Sequence, residues 1–162
     1  MLTRTELIIL PYSGADGRTI LHLLIRELTN DRWTRFQSAV AFAKRSGNYR
    51  ELLESMSTFL NKGGTIEMTF GADVFGSDVR GSELEAIETL LNEFKDHANA
   101  RMFLYHDKKR SRTFHPKIYL FSNVPNNNAL LIIGSSNWSA GGFHDNIEAN
   151  VIIELDLKDA EQ

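Results

Sequence analysis

The 162-residue chain has no cysteine, so disulfides play no part in its stability. No apolar run reaches the roughly 18 residues of a membrane-crossing helix, which excludes a helical span. The apolar stretch in MLTRTELIIL is too short and too mixed for a secretory signal, and a cytoplasmic protein is the default expectation. An excess of positive charge is also missing: 18 Lys and Arg stand against 21 Asp and Glu, a formal net charge of −3. A nonspecific nucleic-acid binder that acts alone is usually basic. Tight duplex binding by this chain alone is therefore not expected. Either recognition lies in another domain or chain, or the basic residues concentrate at one site. The sequence has no internal repeat and no low-complexity segment, and it lacks the carboxylate clusters of two-metal nucleases.

What is present is ordinary for a globular domain: 42% hydrophobic and 24% charged residues, in a length that suits one domain with a substantial core. Hydrophobic periodicity predicts strands over 5–10, 36–43, 65–70 and 101–105, and helices over 18–28, 46–60 and from Ser82 to Phe94. Residues 11–17 read as a turn-rich loop. Gly63 and Gly64 suit the end of the second helix. Ser82 and Glu85 have the spacing of a capping box. Three closely spaced strands follow, over 118–121, 129–133 and 147–155. The order argues an α/β sandwich, a mixed sheet flanked by helices, occupying 1–156. Residues 157–162 read as a tail or the start of a linker.

Polar residues cluster where the last strands begin or end. His115 and Lys117 are two apart, so on a strand both point to one face. Two groups that both carry positive charge make sense together if an anion, above all a phosphate, sits over them. Ser135 and Asn137 repeat the spacing and offer a hydroxyl and an amide to the same oxygens. Glu148 is placed to accept a hydrogen bond from the imidazole and fix its tautomer.

His-x-Lys, Gly-Ser-x-Asn, and a Glu eleven residues after that Asn resemble the phospholipase D superfamily, the HKD enzymes. Within it, His115–Tyr119, Ile132–Asn137 and Asn146–Ala149 are similar to the single-motif, BfiI-like metal-independent restriction endonucleases. The superfamily's motif aspartate falls on Ser122 here, and the BfiI-like branch lacks it too. The resemblance implies a phospholipase D-like fold and hydrolysis of DNA phosphodiesters without metal or other cofactor. It implies His115 as nucleophile, through a phosphohistidine. Lys117, Asn137 and Ser135 then hold phosphate oxygens and Glu148 orients His115.

In-line displacement needs a nucleophile on one side of phosphorus and an acid on the other, and the chain has one such set. A homodimer with one composite site supplies the second His115, as the superfamily's two motifs per site imply. The expected partners are DNA, a second copy, and a separate recognition domain or subunit, with no membrane. Lys108, Lys109, Arg110 and Arg112 precede His115; such a run is usually a solvated loop, and beside this site it is a candidate for DNA backbone contacts. Trp138 reads as packing. His144, Asp145 and Glu148 fit no strong metal signature, and His22, His97 and His106 read as structural or surface residues. Two other functions compete: a lipid phosphodiesterase, and a non-catalytic binding or dimerisation module on a helicase-like partner.

Overall fold

The computed structural model describes residues 2–72, 74–75, 78–79, 81–109 and 111–159. Its centre is one seven-stranded mixed sheet. In chain order the elements are β1 (Leu2–Leu10), α1 (Ile20–Thr29), β2 (Arg35–Val40), α2 (Arg50–Asn61) and β3 (Thr65–Gly71). A two-stranded ribbon of β4 (Val74–Phe75) and β5 (Asp78–Val79) comes next, then α3 (Leu84–Phe94) and β6 (Ala100–Tyr105). β7 (Lys117–Asn123), β8 (Asn128–Gly134) and β9 (Glu148–Asp156) complete the sheet, whose spatial order is β1-β9-β8-β7-β2-β3-β6. β2, β3 and β6 run parallel, as helical crossovers require, while β7, β8 and β9 form an antiparallel meander.

Strand alternation decides the core. Ile8 and Leu10, Phe36 and Val40, Ile66, Met68 and Phe70, Tyr119 and Phe121, and Ile132 and Ile152 are buried together. Leu23, Leu24 and Leu28 of α1, Leu52, Met56 and Phe59 of α2, and Leu90 and Phe94 of α3 pack onto the same cluster. Each such side chain contributes about 1.5–3 kcal/mol of transfer free energy. On the opposite face Leu7, Ile9, Phe103 and Ile133 stay exposed. Glu27 is a buried carboxylate matched by Arg26 at 2.6 Å and by the Trp33 indole N–H at 2.8 Å.

The mixed α/β fold is the one expected, with differences at its joints. α1 begins at Ile20 because Thr19 caps it, accepting from the His22 amide at 3.2 Å. α2 begins at Arg50, after a single 3-10 turn at Arg45–Gly47, and Gly63, with φ 88°, lets the chain leave it. β2 stops at Val40. Beyond it Ala41 donates to the Pro116 carbonyl, and Ala43 bridges Trp138. The expected capping box does not form. Glu83, not Ser82, is the N-cap of α3, and it makes no side-chain cap bond. Ser82 instead accepts from the Ala43 amide and donates to the Gly71 carbonyl, both at 2.9 Å, and so ties the ends of β2 and β3 together.

Ser82→Ala should therefore cost about 1–3 kcal/mol in urea unfolding, because it leaves the buried Ala43 amide unpaired, while the Gly71 carbonyl keeps only the Ser82 backbone amide, at 3.3 Å. Exposed Glu85 makes a surface ion pair with Arg45, so Glu85→Ala should cost under about 1 kcal/mol. The double variant should equal the sum of the two. Coupling between the positions would restore the capping box.

Candidate active site

The strands set the site. β7 enters the sheet at Lys117, β8 leaves it at Gly134 and β9 enters at Glu148, all at the end where β1, β2 and β3 finish. Lys117 shares the inward-facing parity of Tyr119 and Phe121, which explains how a lysine is buried at the rim of an apolar core. Its Nζ lies 2.9 Å from His115 Nδ1 and 3.0 Å from Nε2, and donates to the His115 carbonyl at 3.2 Å. His115 itself is exposed. Burial pulls the Lys117 pKa below the ordinary lysine value, and the Glu148 carboxylate pulls it the other way.

Asn137 is 7% exposed, and its Oδ1 accepts from the Phe42 amide at 3.3 Å. That bond anchors the side chain to the segment leaving β2. Among the described residues its Nδ2 donates to nothing, so a donor is left for a ligand. Gly142 explains how the loop closes: a Cβ there would sit on the Asn137 carbonyl oxygen. The loop returns through a single π-helical turn, Gly141–Asp145, held by the Asn146 amide on the Gly141 carbonyl at 2.9 Å.

Glu148 is not where the imidazole bond was expected. Its carboxylate accepts from Ser135 Oγ and from Asn146 Nδ2, the latter at 3.3 Å, and not from His115. Ser135, expected on phosphate, also accepts from the Ala149 amide at 3.0 Å. The register explains both: Gly134 lies opposite Asn150, so the residue after β8 meets the first residues of β9. Of the basic run, Lys108, Lys109 and Arg112 are exposed, and Arg110 lies outside the described residues.

Two supports were not signalled by the motif residues. Tyr119 donates to the Ser136 carbonyl at 3.0 Å, and burial, then the Glu148 carboxylate, push its pKa far up, keeping it a neutral donor. Asn150, 1% exposed, donates to Ser136 Oγ at 2.8 Å and accepts from the Ser136 amide at 3.4 Å. Together they brace Ser135-Ser136-Asn137 from below. The sequence signal was present: a polar residue at an inward-facing strand position. Trp138 packs, as expected; it is fully buried, with its indole N–H on Asn48 Oδ1 at 2.8 Å. His144 bonds Tyr49 and Asp145, each at 2.5 Å. Among the described residues no group of three or more His, Asp or Glu side chains is placed to hold a metal ion.

Residues 24–162 match the family model described as "Cardiolipin synthase, PLD-like domain". The chain belongs to this PLD-like family. No curated protein sequence matches it. Solved structures show the same fold for the PLD-like domain. NucT from Helicobacter pylori superposes with a TM-score of 0.62 at 16% identity, over 98% of this chain and 87% of that one. Nuc from Salmonella typhimurium, a phospholipase D family member, gives 0.60 at 17% identity over the same shares. Phosphatidylserine synthase from Haemophilus influenzae gives 0.65 at 12% identity, over 95% of this chain and 34% of that one. The fold and the PLD-like phosphodiesterase superfamily are those the motif resemblance implied.

The PLD-like site makes an electrostatic prediction independent of turnover. Glu148→Gln removes the charge that holds the Lys117 pKa up. In isotope-labelled dimethyl-lysine NMR, assigned with Lys117→Arg, the Lys117 signal should titrate below ordinary lysines. In Glu148→Gln it should titrate lower still. An unchanged or raised value would mean that the two groups do not feel each other.

Proposed function

We propose that the chain is a metal-independent DNA endonuclease that hydrolyses phosphodiester bonds through a phosphohistidine on His115. One observation carries the reading: a buried ammonium within 3.0 Å of both ring nitrogens of an exposed histidine. A phosphate oxygen beside Lys117 restores the charge balance that burial disturbs and puts phosphorus in reach of the imidazole. Phosphoryl transfer depends chiefly on such positioning and charge stabilisation.

A neutral His115 ring nitrogen bonds to phosphorus, and the bond from phosphorus to the leaving deoxyribose oxygen breaks. That oxygen takes a proton from the His115 of a second copy. Water then attacks phosphorus, gives its proton to the same second histidine, and the phosphorus–nitrogen bond breaks. Lys117 and the free Asn137 amide hold nonbridging oxygens. Glu148 acts as counter-charge to Lys117 and steers Ser135, rather than gripping His115. Its role thus reaches the nucleophile through the lysine.

The second copy meets the first at the mouth of the site. Exposed Tyr12, Leu84 and Ile147, at 75%, 71% and 81% of full accessibility, rim that end of the sheet and offer apolar contact. The BfiI-like motif resemblance and the acidic net charge of −3 support a catalytic part of a cytoplasmic restriction or defence enzyme, with DNA recognition in another domain or subunit. A second reading, phosphatidyl transfer, is favoured by the cardiolipin synthase description of the family model. There a lipid hydroxyl replaces water in the second step.

The first test is cleavage of supercoiled plasmid in excess EDTA, which should proceed undiminished. Activity lost on chelation and restored by magnesium would refute the mechanism. The second is the intermediate. Quenched reactions should contain a protein–DNA link that is acid-labile and base-stable, absent from His115→Ala. An adduct that survives in that variant would put the nucleophile elsewhere. Transfer of phosphatidyl groups without DNA cleavage would replace the nuclease reading with the lipid one.

A further inference from the structure

Between β6 and His115, Lys109, Ser111 and Arg112 are tied to Asp107. β6 is an edge strand, and four hydrogen bonds converge on the Asp107 carboxylate just past its end. Oδ1 accepts from the Lys109 amide at 3.0 Å. Oδ2 accepts from the Ser111 amide at 2.9 Å, the Ser111 hydroxyl at 3.0 Å and the Arg112 amide at 2.9 Å. These bonds, the Lys109 amide foremost, hold the Asp107 pKa below the ordinary carboxylate value. The one acidic group of the loop is thus engaged by the loop's own N–H groups. Lys108, Lys109 and Arg112 point to solvent, and among the described residues none of them has a carboxylate partner. In a chain of net charge −3, three unpaired cations beside a phosphate site are a local exception.

Aromatic rings close the base of the loop. Tyr105, 37% exposed, stacks on Phe114 with centroids 4.9 Å apart and planes at 24°. Phe114 also covers Gly71, at the end of β3. Phe103, two residues before Tyr105 on the same outward parity, is 51% exposed. Large rings at an open sheet edge gain little from the core. Between β7, which carries the site, and β6 lie β2 and β3, so along the sheet Phe114, over Gly71 of β3, is two strand spacings from β7 and Tyr105 of β6 is three, about 10 to 14 Å. At about 3.4 Å of rise per nucleotide, that is roughly three to four nucleotides of a stacked strand.

We propose that the residues around Asp107 form a single-strand guide: Tyr105 and Phe114 stack an unpaired base, Lys108, Lys109 and Arg112 grip the backbone between it and His115, and Asp107 is the positioning residue that holds the grip in shape. The inference rests on the nuclease reading and names its substrate, DNA with a single-stranded stretch at the cut. Bases sealed in a duplex present no face to the rings, whereas unpaired bases stack on aromatic side chains without regard to sequence.

The test is binding of a labelled single-stranded oligonucleotide, and of the same sequence as a duplex, to His115→Ala chains that do not cut it. Adding Tyr105→Ala or Phe114→Leu should weaken single-strand binding about fivefold or more and leave duplex binding unchanged. Tyr105→Trp should retain it. Replacing the three cations by alanine should lower the salt slope by about 0.7 for each phosphate that is no longer neutralised. Asp107→Asn should lower it too, with the cations still in place. Thermal melts matched to the parent exclude misfolding. Single-strand affinity unchanged by both ring variants overturns the guide, as does equal weakening of both DNA forms. Retention of anionic lipid vesicles but not of the oligonucleotide overturns it in favour of a membrane surface. Turnover of bis(4-nitrophenyl) phosphate separates this inference from the one beneath it. A wild-type chain that cleaves no diester refutes the phosphodiesterase reading, while the binding data alone decide the guide.

Discussion

An ammonium group cannot rest against a histidine at the rim of an apolar core without something to balance it. Lys117 is 8% exposed, in contact with His115, and within the field of the Glu148 carboxylate. Burial disfavours its charge. The arrangement is therefore poised for an incoming anion, and the surrounding structure serves that condition. The β7 parity that buries Tyr119 and Phe121 drives Lys117 inward. The β8–β9 register brings Ser135 and Glu148 together, and Tyr119 and Asn150 hold the intervening loop from the core side.

This changes how Glu148 is understood. A carboxylate that gripped the imidazole would fix a tautomer directly. A carboxylate on Ser135 and Asn146 acts at one remove, by raising the Lys117 pKa against the effect of burial. Substitution at Glu148 is thus expressed first in the lysine. The loop is similarly indirect: Gly142 makes room for the Asn137 backbone, and the Asn137 side chain is fixed by the end of β2 rather than by a neighbour in the motif.

Much of this was legible in the chain. Period-2 and helical patterns located the seven sheet strands and the three helices, because each buries one face against a single core. His115, Lys117, Ser135 and Asn137 were conspicuous as polar residues at strand ends. What escaped depended on contacts distant in sequence. Ser82 looked like a helix cap because capping spacing is local, yet its partners are Ala43 and Gly71, brought close only by the parallel pairing of β2 and β3. The Glu148 partner was misread for a similar reason: its distance from Ser135 follows from register, which one strand alone does not reveal. The β4–β5 ribbon gave no periodicity to read, since two-residue strands have none. Asn150 was visible as a polar residue on an inward strand position, but its role required knowing which loop lies above it.

One imidazole cannot stand on both sides of phosphorus, so the proposed mechanism needs two copies of His115 closing one site. The most direct measurement is DNA cleavage by wild-type chains mixed with a large excess of His115→Ala chains, after full subunit exchange verified by differential tags. Nearly every wild-type chain then sits in a mixed dimer that lacks either the nucleophile or the acid, a loss that typically costs orders of magnitude in rate. Activity per wild-type chain should collapse towards zero. Activity per wild-type chain that stays constant on dilution would contradict the shared site and place the general acid within the same chain.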